Sequence, residues 1–306
     1  MTGPILLTGA NGFVGRHLVR KLLAAGLPVT TLGRVDPGLA GVHHHGLDLE
    51  TDSGRAAEIL VDLRPRAVLA LAAAPPFAPE EQHRAVTLGA ALRLLDAAKS
   101  VAGCRFLAMG SAAEFGTVAG ATPLHEDAPR APQAAYGDAK ARLMDAVAEA
   151  AADGHDAVGL RLFAAVGSDM PTHSLLGSVA RQIAEPLTSE VRTGSLEGAR
   201  DYLPVQEVTS IMASLATSQQ TFPDWVNIGS GRPQIIRDVV SEMIRQSGRA
   251  LHLTTAEDVV TLRGGWIAAD TRRLRSLGFD VPEPTVEEVA RLALSGPVSA
   301  KMRAAS

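Results

Sequence analysis

Short, nearly continuous apolar runs alternate along the first half of the chain with stretches whose apolar residues recur every three or four positions. Ile5–Leu7, Val29–Leu32, Val42–Leu47, Ala67–Leu71, Phe106–Met109 and Val158–Phe163 read as strands. The stretches near Phe13–Ala25, Ser53–Leu63, Glu80–Lys99 and Ala135–Ala151 read as helices, because their apolar positions fall on one face at 3.6 residues per turn. Strand–helix alternation of this kind builds βαβ units: a parallel sheet with helices on both faces. Strands without polar interruptions are those buried on both sides. The pattern therefore predicts an α/β fold, a doubly wound parallel sheet.

Beyond residue 165 the alternation loosens. Helical patterns near Ser174–Ala184, Gln206–Thr217, Ile235–Gln246 and Val286–Leu294 are separated by loops containing Gly and Pro. We read residues 1–165 as the nucleotide-binding domain and 166–296 as a smaller C-terminal substrate-binding lobe, partly interleaved with it. Residues 297–306 carry no pattern and read as a frayed tail.

Composition narrows the function. With 46% hydrophobic residues, 20% charged and a net charge of −4, the chain has the profile of a soluble globular protein. It lacks the basic surface that displaces counterions from nucleic acid, and the polybasic cluster that holds an anionic membrane. No apolar run is long enough to span a bilayer, and no basic-then-apolar leader is evident. Cys104 is the single cysteine, so no internal disulfide can form, which fits a reducing cytoplasm. Lying in an apolar run, it reads as a structural thiol.

Thr8-Gly9-Ala10-Asn11-Gly12-Phe13-Val14-Gly15 follows the first strand and opens the first helix. Gly9 permits the tight turn, Gly12 lets the backbone approach a pyrophosphate, and Gly15 lets helix and strand pack closely. The helix N-terminus offers free N–H groups and a partial positive charge to the phosphates. Strand, loop and helix in this order mark a dinucleotide site of the Rossmann type. An acidic residue about 20 positions past the glycines would hold a ribose 2′-OH. Gly33 stands there instead, and Arg34 follows. A guanidinium suits a 2′-phosphate, so NADP(H) is favoured, with NAD(H) the alternative if Asp36 holds the ribose.

Tyr136-Gly137-Asp138-Ala139-Lys140 begins a helical pattern, and its i, i+4 spacing puts Lys140 one turn from Tyr136 on the same face. A free phenol ionises near ~10. A neighbouring ammonium and the charge of oxidised nicotinamide should favour the phenolate. Tyr136 could then pass a proton to or from a carbonyl oxygen while hydride moves at the carbon. Ser111, ending the fifth strand, could donate a second hydrogen bond to that oxygen. Ser111, Tyr136 and Lys140 are the candidate catalytic residues.

On these motifs the chain resembles the extended short-chain dehydrogenase/reductases, the NAD-dependent epimerase/dehydratase family, of the nucleotide-sugar type. The likeness runs nearly its whole length. It includes Asp48-Leu49 after the third strand, Leu71-Ala72-Ala73 after the fourth, Glu126-Asp127, Arg161-Leu162-Phe163, Gly167, Arg200-Asp201-Tyr202 and Asn227-Ile228-Gly229-Ser230-Gly231. The resemblance implies that Asp48 faces the adenine, that Leu49, Leu71, Ala72, Ala73 and Phe163 belong to the cofactor site, and that Arg200 and Arg263 clasp the pyrophosphate of a nucleoside-diphosphate sugar. Ala180-Arg181-Gln182-Ile183-Ala184 and Val191-Arg192-Thr193-Gly194-Ser195-Leu196 resemble reductases of 4-keto-6-deoxy sugars, GDP-6-deoxy-4-ketohexose reductases nearest, which adds Arg192 to the substrate contacts. The family's dehydratases carry an Asp-Glu pair just after the Ser/Thr. Here those positions are Ala112 and Ala113, which cannot move a proton, and Glu114 one place on is expected to point elsewhere. The chain also departs from the family at Ala164 and Val86, where asparagines are usual, and at Phe115, usually Tyr.

The favoured activity is thus NADPH-dependent reduction of a nucleoside-diphosphate 4-keto-6-deoxyhexose. A 4-epimerase retaining NAD uses the same triad, and a non-catalytic NADP-binding regulator would be expected to lack Tyr-x-x-x-Lys. His43-His44-His45 alternate faces on a strand, so all three cannot converge on one metal ion; they read as a loop-to-strand entry. Trp266 and Phe77 could touch a base or sugar, or pack in the core. The helix at 84–99 is apolar over more than one stripe, and that at 135–151 is Ala-rich. A second apolar face without a partner predicts a homodimer through these helices, as the resemblance also implies.

Overall fold

In a computed structural model of the chain, residues 3–118, 120–255 and 265–296 are described. All six apolar runs are strands, with ends shifted by one or two residues: β1 (Ile5–Thr8), β2 (Val29–Gly33), β3 (Val42–Gly46), β4 (Ala67–Ala70), β5 (Arg105–Ser111) and β6 (Ala157–Leu162). The strands β7 (Ala164–Val166), β8 (Glu190–Thr193), β9 (Ala199–Pro204), β10 (Trp225–Ile228), β11 (Pro233–Ile235), β12 (His252–Thr255) and β13 (Trp266–Ile267) follow. The main sheet runs β10-β6-β5-β4-β1-β2-β3, and each neighbouring pair from β6 to β3 is parallel. The order reverses direction between β1 and β4, the switch point at which Rossmann sheets hold ligands beyond their strand ends. Ile5, Leu6 and Leu7 in β1 and Val68 and Leu69 in β4 are fully buried, as strands covered on both faces must be.

The chain divides into two compact units. The first comprises Met1–Gly116, Glu126–Leu162 and Val208–Asn227; the second comprises Thr117–His125, Phe163–Glu207 and Ile228–Ser306. In the second, β9 pairs with β7, β11 and β13, while β8 pairs with β12. Helices Leu175–Ala184, Ile236–Gln246 and Val286–Ala293 close a core around Val179, Ile183, Val239, Met243 and Val289. Asp201 pins this unit's Ser230–Gly231 turn: its carboxylate accepts from the amides of Ser230, Gly231 and Ala269 and from the Ser230 hydroxyl.

Three expectations change in the first unit. The stretch Glu80–Lys99 is not one regular α-helix. A π-helical segment, His83–Ala90, separates a single turn at Glu80–Gln82 from the α-helix Ala91–Lys99. Gly89 accommodates it, since a Cβ there would lie 2.9 Å from the Arg84 carbonyl oxygen. The apolar side chains of this helix are not left without a partner. Leu88, Ala90, Ala91, Leu94, Leu95 and Ala98 are buried within the unit, where the helix packs between Ser53–Leu63 and Ala135–Ala152. Finally, His43-His44-His45 lie inside β3 rather than at its entry, drawn in by pairing with Thr30, Thr31 and Leu32. Phe77 and Trp266 are exposed, so neither is core. The tail at 297–306 lies outside the described residues.

Arg105 fastens the start of β5. Its guanidinium takes both Asp156 oxygens at 2.8 and 2.9 Å, the carbonyls of Leu215, Ser218 and Gln220, and the face of Phe222. Arg105 is buried while Asp156 is partly exposed, so a substitution would lose a half-screened ion pair and leave carbonyls without their donor. Arg105→Met should therefore lower the urea midpoint strongly, while the fraction still folded binds cofactor with unchanged affinity. Unchanged stability would show that this guanidinium is not a structural tie.

Candidate active site

The loop after β1 is shaped by absent side chains. Gly9 sits at φ +73°, where a Cβ would meet the Ala72 amide nitrogen at 2.8 Å. A Cβ on Gly15 would lie 2.0 Å from the Gly9 carbonyl oxygen. The turn closes with the Gly12 amide donating to that carbonyl at 3.0 Å. Helix Phe13–Ala24 then starts with no side-chain cap and no acidic residue in its first turn, leaving its amides to a ligand. Two ties hold the loop: Thr8 Oγ1 accepts from the Ala72 amide, and Asn11 Nδ2 donates to the Val35 carbonyl at 2.6 Å.

Beside this loop lies a cavity of about 320 Å³ at the ends of β1, β2, β3 and β4. Among the residues expected at the cofactor, Gly9, Asn11, Gly12, Arg34, Asp48, Leu49, Leu71, Ala72 and Ala73 line it. Phe13, Val14 and Gly15 form the first helical turn, and Phe13 packs edge-on against His17. Gly33 lines the cavity without a side chain, while Arg34 is exposed at 3.9 Å from Asp48. Val86, His44, Leu47 and Gln82 complete part of the wall.

Ser111, Tyr136 and Lys140 come together in the same unit. Ser111 ends β5, where its Oγ accepts from the Ala113 amide and its hydroxyl hydrogen-bonds the Tyr136 phenol. Lys140, one helical turn on, places Nζ 5.9 Å from the Tyr136 ring centroid and donates to the Met109 carbonyl at 2.6 Å. The electrostatics differ from the expected depression of the phenol by Lys140. Burial pushes the Tyr136 phenol above its ordinary value; the Ser111 hydrogen bond opposes that, and the Glu114 carboxylate adds to it. Burial also pulls Lys140 down to about 8, against the attraction of Glu114. Burial dominates at both groups, so Tyr136 rests as a neutral phenol.

Glu114 accounts for much of this geometry. It points away from the reacting groups: Oε1 accepts from the Ser111 amide at 2.8 Å and Oε2 from Arg161 Nε at 3.0 Å. Arg161 is fully buried between the faces of Phe115 and Trp225 and donates onward to the Glu126 carbonyl. A second tie reaches Tyr136 from the cavity wall. The Ala74 amide donates to Thr87 Oγ1, Thr87 Oγ1 lies 3.2 Å from His83 Nδ1, and the His83 ring stands edge-to-face on Tyr136 at 5.6 Å. The sequence reading overlooked His83 and Thr87 and took His44 only as part of the histidine run; the signal available was polar residues on otherwise buried faces.

In the second unit, Arg200 has one guanidinium nitrogen donating to the Ala199 and Gly265 carbonyls, and Arg192 is exposed and paired with Glu190 at 2.7 Å. Ala164 pairs with Tyr202 across β7 and β9, and the Phe163 amide donates to the Ile228 carbonyl. Arg263 lies outside the described residues.

Residues 5–229 match the NAD dependent epimerase/dehydratase family. The chain belongs to that family. It is 29% identical to the dTDP-6-deoxy-L-talose 4-dehydrogenase (NAD(P)(+)) of Kitasatospora kifunensis, over 95% of this chain and 96% of that one. It is likewise 29% identical to the GDP-6-deoxy-D-mannose reductase of Pseudomonas aeruginosa, over 96% and 97% of the two chains. Among solved structures, RMD from Pseudomonas aeruginosa complexed with NADPH superposes with a TM-score of 0.78 at 26% identity, covering 96% of this chain and 98% of that one. An epimerase/dehydratase-family chain of this kind is an NAD(P)-dependent oxidoreductase. The glycine cradle, which any Cβ at Gly9 or Gly15 would fill, fits such a dinucleotide.

The chain has two tyrosines, Tyr136 and Tyr202. Burial lifts Tyr202 to about 12, and Tyr136 is also raised. Tyrosinate absorbance should therefore stay absent near pH ~10, where free phenols are half ionised. Ser111→Ala should move the Tyr136 midpoint further up, and Tyr136→Phe should remove that step. A Tyr136 midpoint at or below the ordinary phenol value would contradict the burial argument.

Proposed function

We propose that the chain reduces the keto group of a nucleoside-diphosphate 4-keto-6-deoxyhexose with NADPH. The observation that carries this reading is a neutral, buried phenol hydrogen-bonded to Ser111 with Lys140 beside it: a proton donor paired with a hydroxyl that can share the same carbonyl oxygen. Two relatives named for 6-deoxyhexose chemistry support the substrate class. Ala112 and Ala113, which cannot move a proton, weigh against dehydration. Gly33 and Arg34 at the cavity favour NADPH over a retained NAD, and hence a reductase over an epimerase.

Nicotinamide, when bound, supplies the hydride. Ser111 and Tyr136 hold the ketone oxygen, and Tyr136 gives it a proton as negative charge develops there. Lys140 lends positive charge to the phenol as it ionises, and the Met109 carbonyl keeps the ammonium in place. Arg200 and Arg263 are assigned to the diphosphate, whose geometry suits guanidinium forks, and Arg192 to the substrate more generally. We assign Gly9, Asn11, Gly12, Phe13, Val14, Gly15, Arg34, Asp48, Leu49, Leu71, Ala72, Ala73 and Phe163 to the dinucleotide, together with Tyr136 and Lys140. A homodimer through helices 84–99 and 135–151 rests on the family resemblance, since their apolar side chains are largely buried within one chain. Among the described residues no helix is long and apolar enough to cross a membrane.

The direct test is a panel of nucleoside-diphosphate 4-keto-6-deoxyhexoses with NADPH, following loss of NADPH; no consumption with any member would overturn the reading. Tyr136→Phe should cut turnover by about 10²–10⁴ while NADPH still binds, and normal turnover would remove Tyr136 from the mechanism. The pH profile has a defined sign. Reduction needs a protonated Tyr136, held by its raised value, and a charged Lys140, which loses its proton around pH 8. The rate constant kcat/KM should be level below that point and fall as pH rises through about 8. A rate that climbs through this range would contradict the assignment.

A further inference from the structure

We propose that His44 is a second reader of the cofactor's 2′-phosphate, acting with Arg34 to set the preference for NADPH. The proposal rests on the reading of the chain as an NADPH user and adds a residue to it. His44 lines the cavity from β3, paired in register with Thr31 on β2. Its Nδ1 lies 2.9 Å from Thr31 Oγ1, and its Nε2 is buried with no hydrogen-bond partner among the described residues. Thr31 is itself fully buried, and its hydroxyl has no other partner among the described residues. Donation from that hydroxyl to Nδ1 satisfies both groups and leaves the ring proton on Nε2. The imidazole is thereby locked with an N–H donor left unpaired within the chain, and such a group is unfavourable to bury without a partner.

What that donor would meet follows from the strand register. Side chains two apart share a face, so Gly33 and Gly46 follow Thr31 and His44 on the same face toward the strand ends. These two glycines are themselves register partners, and a Cβ on either would meet nothing within 4 Å. Open space left by the two glycines therefore lies along the strands from the imidazole, with Gly33 at the position where an acid would otherwise reach for the ribose 2′-OH. Arg34, the next residue after Gly33, stands at the rim with its guanidinium largely exposed and only 3.9 Å from Asp48. A phosphate ester on the 2′-oxygen fits this arrangement: its oxygens accept from a guanidinium on one side and an imidazole N–H on the other. A carboxylate in the Gly33 position would repel the same group, which gives the glycine a positive use rather than merely marking a missing contact.

The test measures binding by the full chain, apart from turnover. Calorimetric titration with 2′,5′-ADP and 5′-AMP isolates the phosphate, and fluorescence titration with NADPH and NADH repeats the comparison on whole cofactors. His44→Leu should weaken 2′,5′-ADP and NADPH by about tenfold and leave 5′-AMP and NADH within about twofold. His44→Gln, whose amide restores an N–H donor, should recover part of the loss. In the wild type, the phosphorus resonance of the bound 2′-phosphate should be displaced from its free position; in His44→Gln it should be displaced less. These two readouts decide the matter should His44→Leu not fold. Equal weakening of ligands with and without the phosphate, or no weakening, overturns the role of His44 while leaving NADPH use intact. A wild type that binds 2′,5′-ADP no better than 5′-AMP overturns both.

Discussion

A buried ion pair orders the reacting end of the sheet. Glu114 and Arg161 are both fully shielded from solvent and lie 3.0 Å apart. Two such charges repay their desolvation only when geometry and further hydrogen bonds are good. The chain meets that demand by spending Glu114 on the Ser111 amide and clamping Arg161 between two aromatic faces, with the Glu126 carbonyl beyond. Ser111 is thereby fixed at the end of β5 as the cap of the short helix that follows, and its hydroxyl is delivered to Tyr136.

The same carboxylate has an electrostatic cost and a benefit. Burial is the main reason the Tyr136 phenol stays protonated and the Glu114 field adds to it, while the same field favours the charge on Lys140 against burial. Both effects suit the proton donation proposed for this site. Burial overrides the ordinary expectation that a neighbouring lysine holds this tyrosine as a phenolate. In the chain by itself, desolvation wins.

Most of the fold was legible because its signals are local. Apolar runs flanked by glycine turns became β1 to β6, and the order strand, Gly9–Gly15 loop, helix was legible without any knowledge of contacts. The i, i+4 spacing of Tyr136 and Lys140 placed them on one face for the same reason. What was not legible depends on pairs distant in sequence. Nothing near Glu114 announces that it turns toward Arg161, and nothing near His44 announces Thr31. The apolar excess at 84–99 looked like a surface awaiting a partner because periodicity counts faces but cannot say how many neighbours one chain supplies. Here the helices at 53–63 and 135–152 flank it. The π-helical turn at His83–Ala90 escaped for a related reason: it brings Gly89 against the Arg84 carbonyl, a contact that helix periodicity does not register.

The central claim is that hydride leaves the nicotinamide for the sugar ketone and does not return, with Tyr136 supplying the proton. NADPH carrying deuterium at its transferable position, incubated with a nucleoside-diphosphate 4-keto-6-deoxyhexose, tests it directly. The account predicts a product with deuterium on the former ketone carbon and one NADP⁺ released for each product formed. A product that has changed configuration while the deuterium remains on the cofactor, with no net loss of NADPH, would contradict it.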